Sequence, residues 1–137
     1  MAVRKETIKA QMETALRSIL QPGEQETASV LAIAGPSPWL AMGVLGLIGA
    51  LFTRYYYATV TNQRVIFVGT SRWTQRPKGM AFADPRSSAA LESVKPSTLW
   101  SVIRYRRPDG SVLRLNVHRI WRQEFDAFVQ ALGGTVT

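Results

Sequence analysis

The stretch Tyr57-Ala58-Thr59-Val60-Thr61-Asn62-Gln63-Arg64-Val65-Ile66-Phe67 contains two runs of strand-forming residues around a polar centre. β-Branched and aromatic side chains favour the extended backbone of a pleated sheet, so residues 55–60 and 64–68 are expected to be strands. The polar residues 61–63 between them are expected to form the turn. The pattern therefore predicts a β-hairpin near the middle of the chain.

A second hairpin is predicted downstream, where residues 98–105 and 111–117 flank Arg107-Pro108-Asp109-Gly110. Pro presets φ in such a turn and Gly accepts a positive φ. Between the two hairpins, residues 69–79 are expected to form a polar loop and residues 80–83 a short strand. The Ser-, Ala- and Pro-rich stretch 84–96 is expected to be irregular.

Helices are predicted at both ends of this strand-rich region. Residues 6–20 have apolar side chains at helical spacing and end at Pro22-Gly23, and residues 24–34 then form a strand. The polar face of the first helix carries both signs of charge, so it is expected to pack on its own domain rather than on a membrane. The C-terminal helix, residues 119–132, ends at Gly133-Gly134. One of its faces is apolar and carries Trp121, Phe125, Phe128, Val129 and Leu132.

The hairpin at residues 57–67 is similar to the aromatic-x-Thr-x-Thr-Asn-x-Arg-aliphatic pattern of the bacterial pleckstrin-homology-like (PH-like) domain family, and Gly23-Glu24 precedes the first strand. This resemblance covers about residues 23–134. It implies an α+β fold, namely a bent antiparallel β-barrel capped by the C-terminal helix. Residues 1–22 are then an added N-terminal amphipathic helix, and residues 135–137 are a tail. PH-like domains are generally binding modules, so the resemblance implies binding or scaffolding.

Residues Thr27 to Thr53 form a run of 27 residues without a charged side chain. The prolines in Gly35-Pro36-Ser37-Pro38 break this run, because Pro disfavours helix at the residue before it. An apolar helical insert, 38–53, is predicted to follow and to interrupt the PH-like domain. As a helix, the fifteen residues 38–52 of this insert span roughly 22 Å, which is less than the roughly 30 Å hydrocarbon core of a bilayer. The membrane or interface residues of this insert are Trp39, Leu40, Gly43, Gly46, Gly49 and Phe52.

Three interpretations of the insert remain open: a short or re-entrant membrane helix, a helix at an oligomer interface, and a core helix of a soluble monomer. A chain of 137 residues has little core in which to bury a helix that is apolar all round, which disfavours the third. The glycines suit close helix contact within lipid. Trp39 and Arg54 suit the two membrane interfaces. Membrane insertion is therefore the favoured interpretation.

The net charge of +8 is unevenly distributed. Residues 54–122 contain thirteen Lys or Arg against three Asp or Glu, a net charge of +10 directly after the uncharged run. Such an excess attracts the phosphates of lipids or nucleic acids. The positive-inside rule places this part of the chain in the cytoplasm. The side chains expected to contact an anionic partner are Arg54, Arg72, Arg76, Lys78, Arg104, Arg106, Arg107 and Arg114.

The sequence contains no recognised catalytic motif. It has no Cys, and its single histidine, His118, cannot form a zinc site without several carboxylate partners. His118 is instead expected to cap or pack near the start of the C-terminal helix, where Glu124 and Asp126 are expected to be solvated charges. There is no phosphate-binding loop and no His-Glu-x-x-His or Gly-x-Ser-x-Gly motif. We therefore expect no enzyme activity, no catalytic residues, no metal and no cofactor.

Together these patterns predict a binding or scaffold module at the cytoplasmic face of the cell membrane, with its basic face on anionic lipid or a partner protein. One alternative is a soluble homo-oligomeric assembly component that uses the apolar insert as its interface. Another is a nucleic-acid-binding module. The second alternative is less favoured, because the tyrosines at 55–57 are better explained as strand and interface residues than as stacking platforms.

Overall fold

A computed structural model describes residues 2–35, 54–70 and 77–134 of the protein. Within these residues, the helices are α1 (Ala2–Ile19) and α2 (Arg122–Ala131), and the strands are β1 (Glu26–Ala34), β2 (Arg54–Thr61), β3 (Arg64–Thr70), β4 (Pro77–Pro85), β5 (Ala90–Lys95), β6 (Trp100–Arg106) and β7 (Val112–His118). Short 3₁₀ turns occupy Arg86–Ser88 and Arg119–Trp121. The described strands form one antiparallel sheet in the order β4-β3-β2-β1-β7-β6-β5. The α+β prediction is therefore confirmed.

Both predicted hairpins are confirmed. Strands β2 and β3 pair with Ala58 opposite Phe67, and two residues, 62 and 63, separate the strands. Strands β6 and β7 pair from Trp100 opposite His118 to Arg106 opposite Val112. Gly110 in the intervening turn has a φ of 89°, the left-handed conformation that the turn pattern requires of a glycine.

The prediction of irregular structure at 84–96 is wrong, because β5 lies within it and β4 extends to Pro85. Strand β5 is at the edge of the sheet, and all of its side chains are exposed or half-buried. It pairs with β6, with a shift in register between Leu91 and Ser93. Backbone pairing with a neighbour thus makes this segment a strand, although its side chains give only a weak strand pattern.

The resemblance implies a bent β-barrel, and the structure corrects this expectation. The sheet is open, with β4 and β5 as its edges. Strand β1 pairs with β2 from Glu26 to Ala34 but with β7 only at Ile33 and Ala34. The sheet nevertheless curves strongly, as a contact between β6 and β4 indicates: the hydroxyl of Tyr105 on β6 lies 2.8 Å from the Asp84 carboxylate on β4. Strand β4 therefore lies near β6 through side chains rather than through strand pairing.

One hydrophobic core includes side chains from the sheet and from both helices. Helix α2 contributes the buried residues Phe125, Phe128 and Val129. Helix α1 contributes Ile8, Met12 and Leu16, which are also buried. The prediction that α1 packs on its own domain is confirmed. Burying apolar area of this kind is the main force that holds both helices against the sheet.

Candidate functional site

A basic strip lies on one face of the β6–β7 hairpin. Arg104 on β6 stands directly opposite Arg114 on β7, and Arg106 stands opposite Val112 on the same face. The other face of β6 presents Ile103 and Tyr105, which are fully buried. The alternation of side chains along a strand therefore directs the arginines away from the core. We call Arg104, Arg106 and Arg114 the basic strip.

The facing pair Arg104–Arg114 is unfavourable for the isolated protein, because like charges directly opposite each other destabilise a sheet. Among the described residues, no carboxylate forms an ion pair with either side chain. Arg114 Nε donates to Asn116 Oδ1 at 3.1 Å. Arg106 pairs with Glu92 at 2.9 Å, but both side chains are exposed, so this pair contributes little to stability. An anionic partner would offset the repulsion within the strip.

Arg107 is held within the protein. Its Nε and Nη2 lie 3.2 Å and 3.1 Å from the two carboxylate oxygens of Asp84, and its guanidinium lies 4.0 Å from the ring centroid of Phe82. Arg107 was expected to contact an anionic partner, but its guanidinium already has an anionic partner within the protein, Asp84. Hydrogen bonding to Asp84 raises the pKa of Arg107, so the guanidinium stays charged.

The other predicted contact residues are not brought to the basic strip by the described structure. Arg54 begins β2 opposite Ala34 and is exposed. Lys78 lies on β4, but its side chain is outside the description. Arg72 and Arg76 lie outside the described residues, as do Trp39, Leu40, Gly43, Gly46, Gly49 and Phe52 of the apolar insert.

An apolar cleft adjoins the basic strip, with a volume of 540 Å³. Its walls come from α1, β1, β2 and the segment that joins β7 to α2, and they include Ile8, Leu31, Ile33, Tyr55 and Trp121. Asn116, which accepts the hydrogen bond from Arg114, also lines it. Local sequence patterns do not predict this cleft, because its lining residues are up to 116 positions apart. The sequence patterns predict only the strands and helices to which these residues belong.

His118 and Trp100 are also lining residues of the cleft. Their rings meet edge to face, with centroids 5.0 Å apart. His118 Nδ1 accepts a hydrogen bond from the Ile120 backbone N–H at 3.3 Å, which confirms the prediction that His118 caps the turn before α2. Burial, and then the charge of Arg119, lower the pKa of His118, so the ring is neutral at pH 7.

The prediction that Glu124 is a solvated charge is wrong. Its side chain is 10% exposed and lies 3.0 Å from the ammonium groups of both Lys5 and Lys9 on α1. Burial raises the pKa of Glu124, but hydrogen bonds from the two lysines outweigh burial and hold the pKa below its ordinary value. These ion pairs connect the two helices, which local sequence patterns do not reveal.

A polar cluster lies beneath α1. Tyr57 Oη donates to Glu13 Oε2 at 3.0 Å, and Ser29 Oγ donates to the Glu26 carboxylate and lies 2.8 Å from Thr59 Oγ1. Burial, and then the neighbouring carboxyl of Glu26, raise the pKa of Glu13 to about 7. Burial and Glu13 raise the pKa of Tyr57, so Tyr57 remains a neutral donor. Glu13 therefore carries a proton in the folded protein over a range of pH in which a free glutamate does not.

Replacing Glu13 with glutamine is expected to stabilise the protein at pH 8 by about 1 kcal/mol, allowing for partial solvent screening. The folded-state pKa lies above the ordinary value of 4.5, so wild-type stability falls as the pH rises from about 4.5 to about 7. Urea unfolding at several pH values should show a benefit of the substitution that grows over this interval. Glu6→Gln, an exposed position on the same helix, is the control. A benefit that is constant with pH would contradict the assignment.

The hairpin pattern at 61–64 serves to connect β2 and β3 with the residues before β1. The buried Glu24 carboxylate accepts hydrogen bonds from Thr61 Oγ1 at 2.6 Å and from Arg64 Nε and Nη2 at 2.9 and 3.1 Å. Asn62 accepts from the Gln25 backbone N–H at 2.9 Å and donates to the Gly23 carbonyl at 3.2 Å. The residues that carry the PH-like resemblance are thus structural in this protein. We call Glu24, Thr61 and Arg64 the hairpin clamp.

Searches against protein-family models, curated proteins and solved structures find no match to the chain. Within the described ranges, no group of three or more His, Asp or Glu side chains is placed to hold a metal ion. No helix in the same part of the chain is both long enough and apolar enough to cross a membrane. The apolar insert 38–53 is not within that part.

Proposed function

We propose that this protein is a non-enzymatic, PH-like binding module at the cytoplasmic face of the cell membrane, and that its basic strip contacts anionic lipid. The observation that carries the proposal is the facing pair Arg104–Arg114. Its electrostatic repulsion is relieved when an anion lies between the two guanidinium groups. The apolar insert 38–53 then attaches the chain to the same membrane.

Two features support the PH-like assignment. In the described residues, antiparallel strands in a curved, open sheet are followed by a C-terminal helix packed into the core, which is the order of elements that the resemblance implies. The motif residues Thr61, Asn62 and Arg64 bond to Gly23-Glu24 and their neighbours, the second element on which the resemblance rests. A binding function fits this arrangement, since Arg104 and Arg114 place two cations without a described carboxylate partner on this strand face.

Replacing Arg104 with glutamate is expected to weaken binding to anionic vesicles about thirtyfold. Each basic residue near an anionic surface contributes about 1 kcal/mol, and the reversal removes one favourable charge and adds one unfavourable charge. Co-sedimentation with phosphatidylcholine vesicles, with and without phosphatidylglycerol, measures the effect. Raising the salt concentration should weaken the wild type more than the variant, because salt screens the exposed charges.

Arg17→Glu is the matched control, since Arg17 is an exposed cation on α1 and the change in net charge is the same. If the basic strip is the contact face, the control should retain nearly all vesicle binding. Equal loss in both variants would show that net charge rather than this face governs binding. Binding that is equal with and without phosphatidylglycerol would reject anionic lipid as the partner and leave insertion of the apolar insert as the mode of attachment.

Nucleic acid is the second candidate partner, favoured by the aromatic pair Trp100–His118 at one end of the basic strip. Aromatic side chains next to cations can stack bases while the cations contact phosphates. Fluorescence anisotropy with labelled single- and double-stranded oligonucleotides, at two salt concentrations, separates this function from lipid binding. Affinity for nucleic acid must fall steeply with salt, because counterions are released on binding. The absence of binding at low salt would remove this candidate.

A further inference from the structure

The apolar cleft has the chemical character of a small-molecule site. Its volume of 540 Å³ lies within the range of about 300–1,000 Å³ typical of ligand pockets, and its walls are mainly aliphatic and aromatic. The proposed contact with a membrane surface rests on the basic strip and does not involve this concavity. The cleft therefore needs an explanation beyond the proposed function.

The charged side chains around the cleft favour an anionic ligand. Lys5 and Arg119 are among its lining residues, and the described lining contains no Asp or Glu. The ammonium group of Lys5 is already paired with Glu124 at 3.0 Å, so Arg119 is the lining cation that faces a ligand without a carboxylate partner. Arg119 is exposed, and among the described residues no carboxylate pairs with it. Arg114 lies at the margin of the cleft, since its Nε bonds to Asn116 in the lining at 3.1 Å. An anionic group at the mouth would therefore meet the guanidinium of Arg119, and Arg114 adds a second positive charge at the margin.

The interior of the cleft requires an apolar body. Leu31, Ile33 and Tyr55 form one wall, and Ile8 and Trp121 face it from the helical side. Asn116 offers little to a polar ligand, because its Nδ2 already donates to the Ile33 carbonyl at 2.9 Å and the Gly35 carbonyl at 3.2 Å. A ligand without an apolar portion would leave these walls solvated and gain no hydrophobic stabilisation.

We infer that this cleft binds an anionic amphiphile, a molecule with a carboxylate or phosphate head at Arg119 and Arg114 and an aliphatic body between Ile33 and Trp121. The inference goes beyond the proposed function, because it requires single molecules rather than a membrane surface. It does not use Arg104, so the two proposals can fail separately.

Isothermal titration of the whole chain with dodecanoate, below its micelle concentration, tests the inference. We expect saturable binding, accompanied by shifts of the Trp100 and Trp121 indole signals in heteronuclear NMR spectra. Dodecyltrimethylammonium, which has the same chain and the opposite charge, and inorganic phosphate, which has no chain, should each bind at least about tenfold more weakly. Equal binding by either of them, or no binding of dodecanoate, would overturn the inference.

Two variants locate the site. Ile33→Trp should fill the cleft and weaken dodecanoate binding by at least about tenfold, whereas Val112→Trp, which adds the same side chain at an exposed position outside the lining, should not. Arg119→Glu should also weaken binding by about tenfold, whereas Arg17→Glu should not. Far-UV circular dichroism confirms that each variant is folded, and Arg119 is exposed, so its substitution tests the site even if Ile33→Trp does not fold. Unchanged dodecanoate binding in Arg119→Glu would overturn the inference.

Vesicle binding provides the separate readout. If the cleft binds single amphiphiles, Ile33→Trp should lose dodecanoate binding and keep the charge-dependent vesicle binding of the wild type within about twofold. If both are lost in a folded Ile33→Trp variant, the cleft is part of the membrane contact rather than a site for free amphiphiles, and the inference is wrong as stated.

Discussion

Replacing Arg64 with alanine is expected to lower the free energy of unfolding by about 3–5 kcal/mol, a large part of the stability of a small domain. The reason is that Glu24, whose side chain is fully buried, loses the guanidinium that neutralises it. Arg64 Nη2 also donates to the Ile19 carbonyl at the end of α1, at 3.0 Å, so this contact is lost as well. Urea unfolding followed by tryptophan fluorescence measures the change.

The charge of Glu24 is the source of this penalty, and removing it should restore part of the stability. Glu24→Gln in the Arg64→Ala background should be more stable than Arg64→Ala alone, because a neutral amide is less costly to bury than an unpaired carboxylate. Arg17→Ala, an exposed arginine on α1, should change stability by less than about 0.5 kcal/mol. If Arg64→Ala behaved like this control, the hairpin clamp would have no energetic role.

The pH dependence of the hairpin clamp has a defined sign. Burial raises the pKa of Glu24, but hydrogen bonds from Arg64, the Gln21 backbone N–H and Thr61 outweigh burial and hold the pKa below its ordinary value of 4.5. The clamp therefore stabilises the wild type above pH 4.5, and this stabilisation is lost as the pH falls through the folded-state pKa. In Arg64→Ala this acid-dependent loss should be absent, because protonation neutralises an unpaired buried charge.

Replacing Asp84 with alanine is expected to cost about 3 kcal/mol, the second largest effect that the structure predicts. Asp84 is buried and accepts hydrogen bonds from the Tyr105 hydroxyl at 2.8 Å and from the Arg107 guanidinium at 3.1 and 3.2 Å. Burial, and then Asp84, raise the pKa of Tyr105, so its hydroxyl stays protonated and needs an acceptor. The substitution leaves that buried donor without its partner.

Strand β4 should respond more than the rest of the sheet to Asp84→Ala. It is an edge strand, and the contacts of Asp84 hold it near β6 across the open side of the sheet. Amide hydrogen exchange should therefore accelerate more in β4 than in the central strand β1. Asp126→Ala removes an exposed ion pair and is the control, with an expected cost below about 0.5 kcal/mol. In a Tyr105→Phe background the cost of Asp84→Ala should be smaller, because there is no Tyr105 hydroxyl to lose its acceptor.

Local sequence patterns were sufficient to predict most elements of the fold. The β2–β3 and β6–β7 hairpins, α1 and α2 follow from side-chain periodicity and from turn residues such as Gly110, because each depends on residues only a few positions apart. Strand β5 was missed for the opposite reason. Its Ala-, Ser- and Glu-containing sequence gives a weak strand pattern, and it is a strand because its backbone pairs with β6.

The basic strip was predictable in part. Alternation along a strand was enough to place Arg104 and Arg106 on one face, and the hairpin turn placed Arg114 on the adjacent strand. Arg107 follows Arg106 directly, yet its guanidinium turns to Asp84, 23 residues earlier in the chain. No local sequence pattern distinguishes an arginine that is available to bind a ligand from one that is paired within the protein.

The contacts between distant residues depended on the curvature and strand order of the sheet. Glu24 meets Arg64, Asp84 meets Tyr105, and Glu124 meets Lys5 and Lys9 across separations of 21 to 119 residues. The apolar cleft likewise forms where α1 and the turn before α2 close over β1 and β2. Periodicity specifies which face of an element is buried, because that depends on neighbours along the chain. It does not specify which charged side chains meet, because the energy of a buried ion pair depends on distance and solvent exclusion, and both are set by the packing of whole elements.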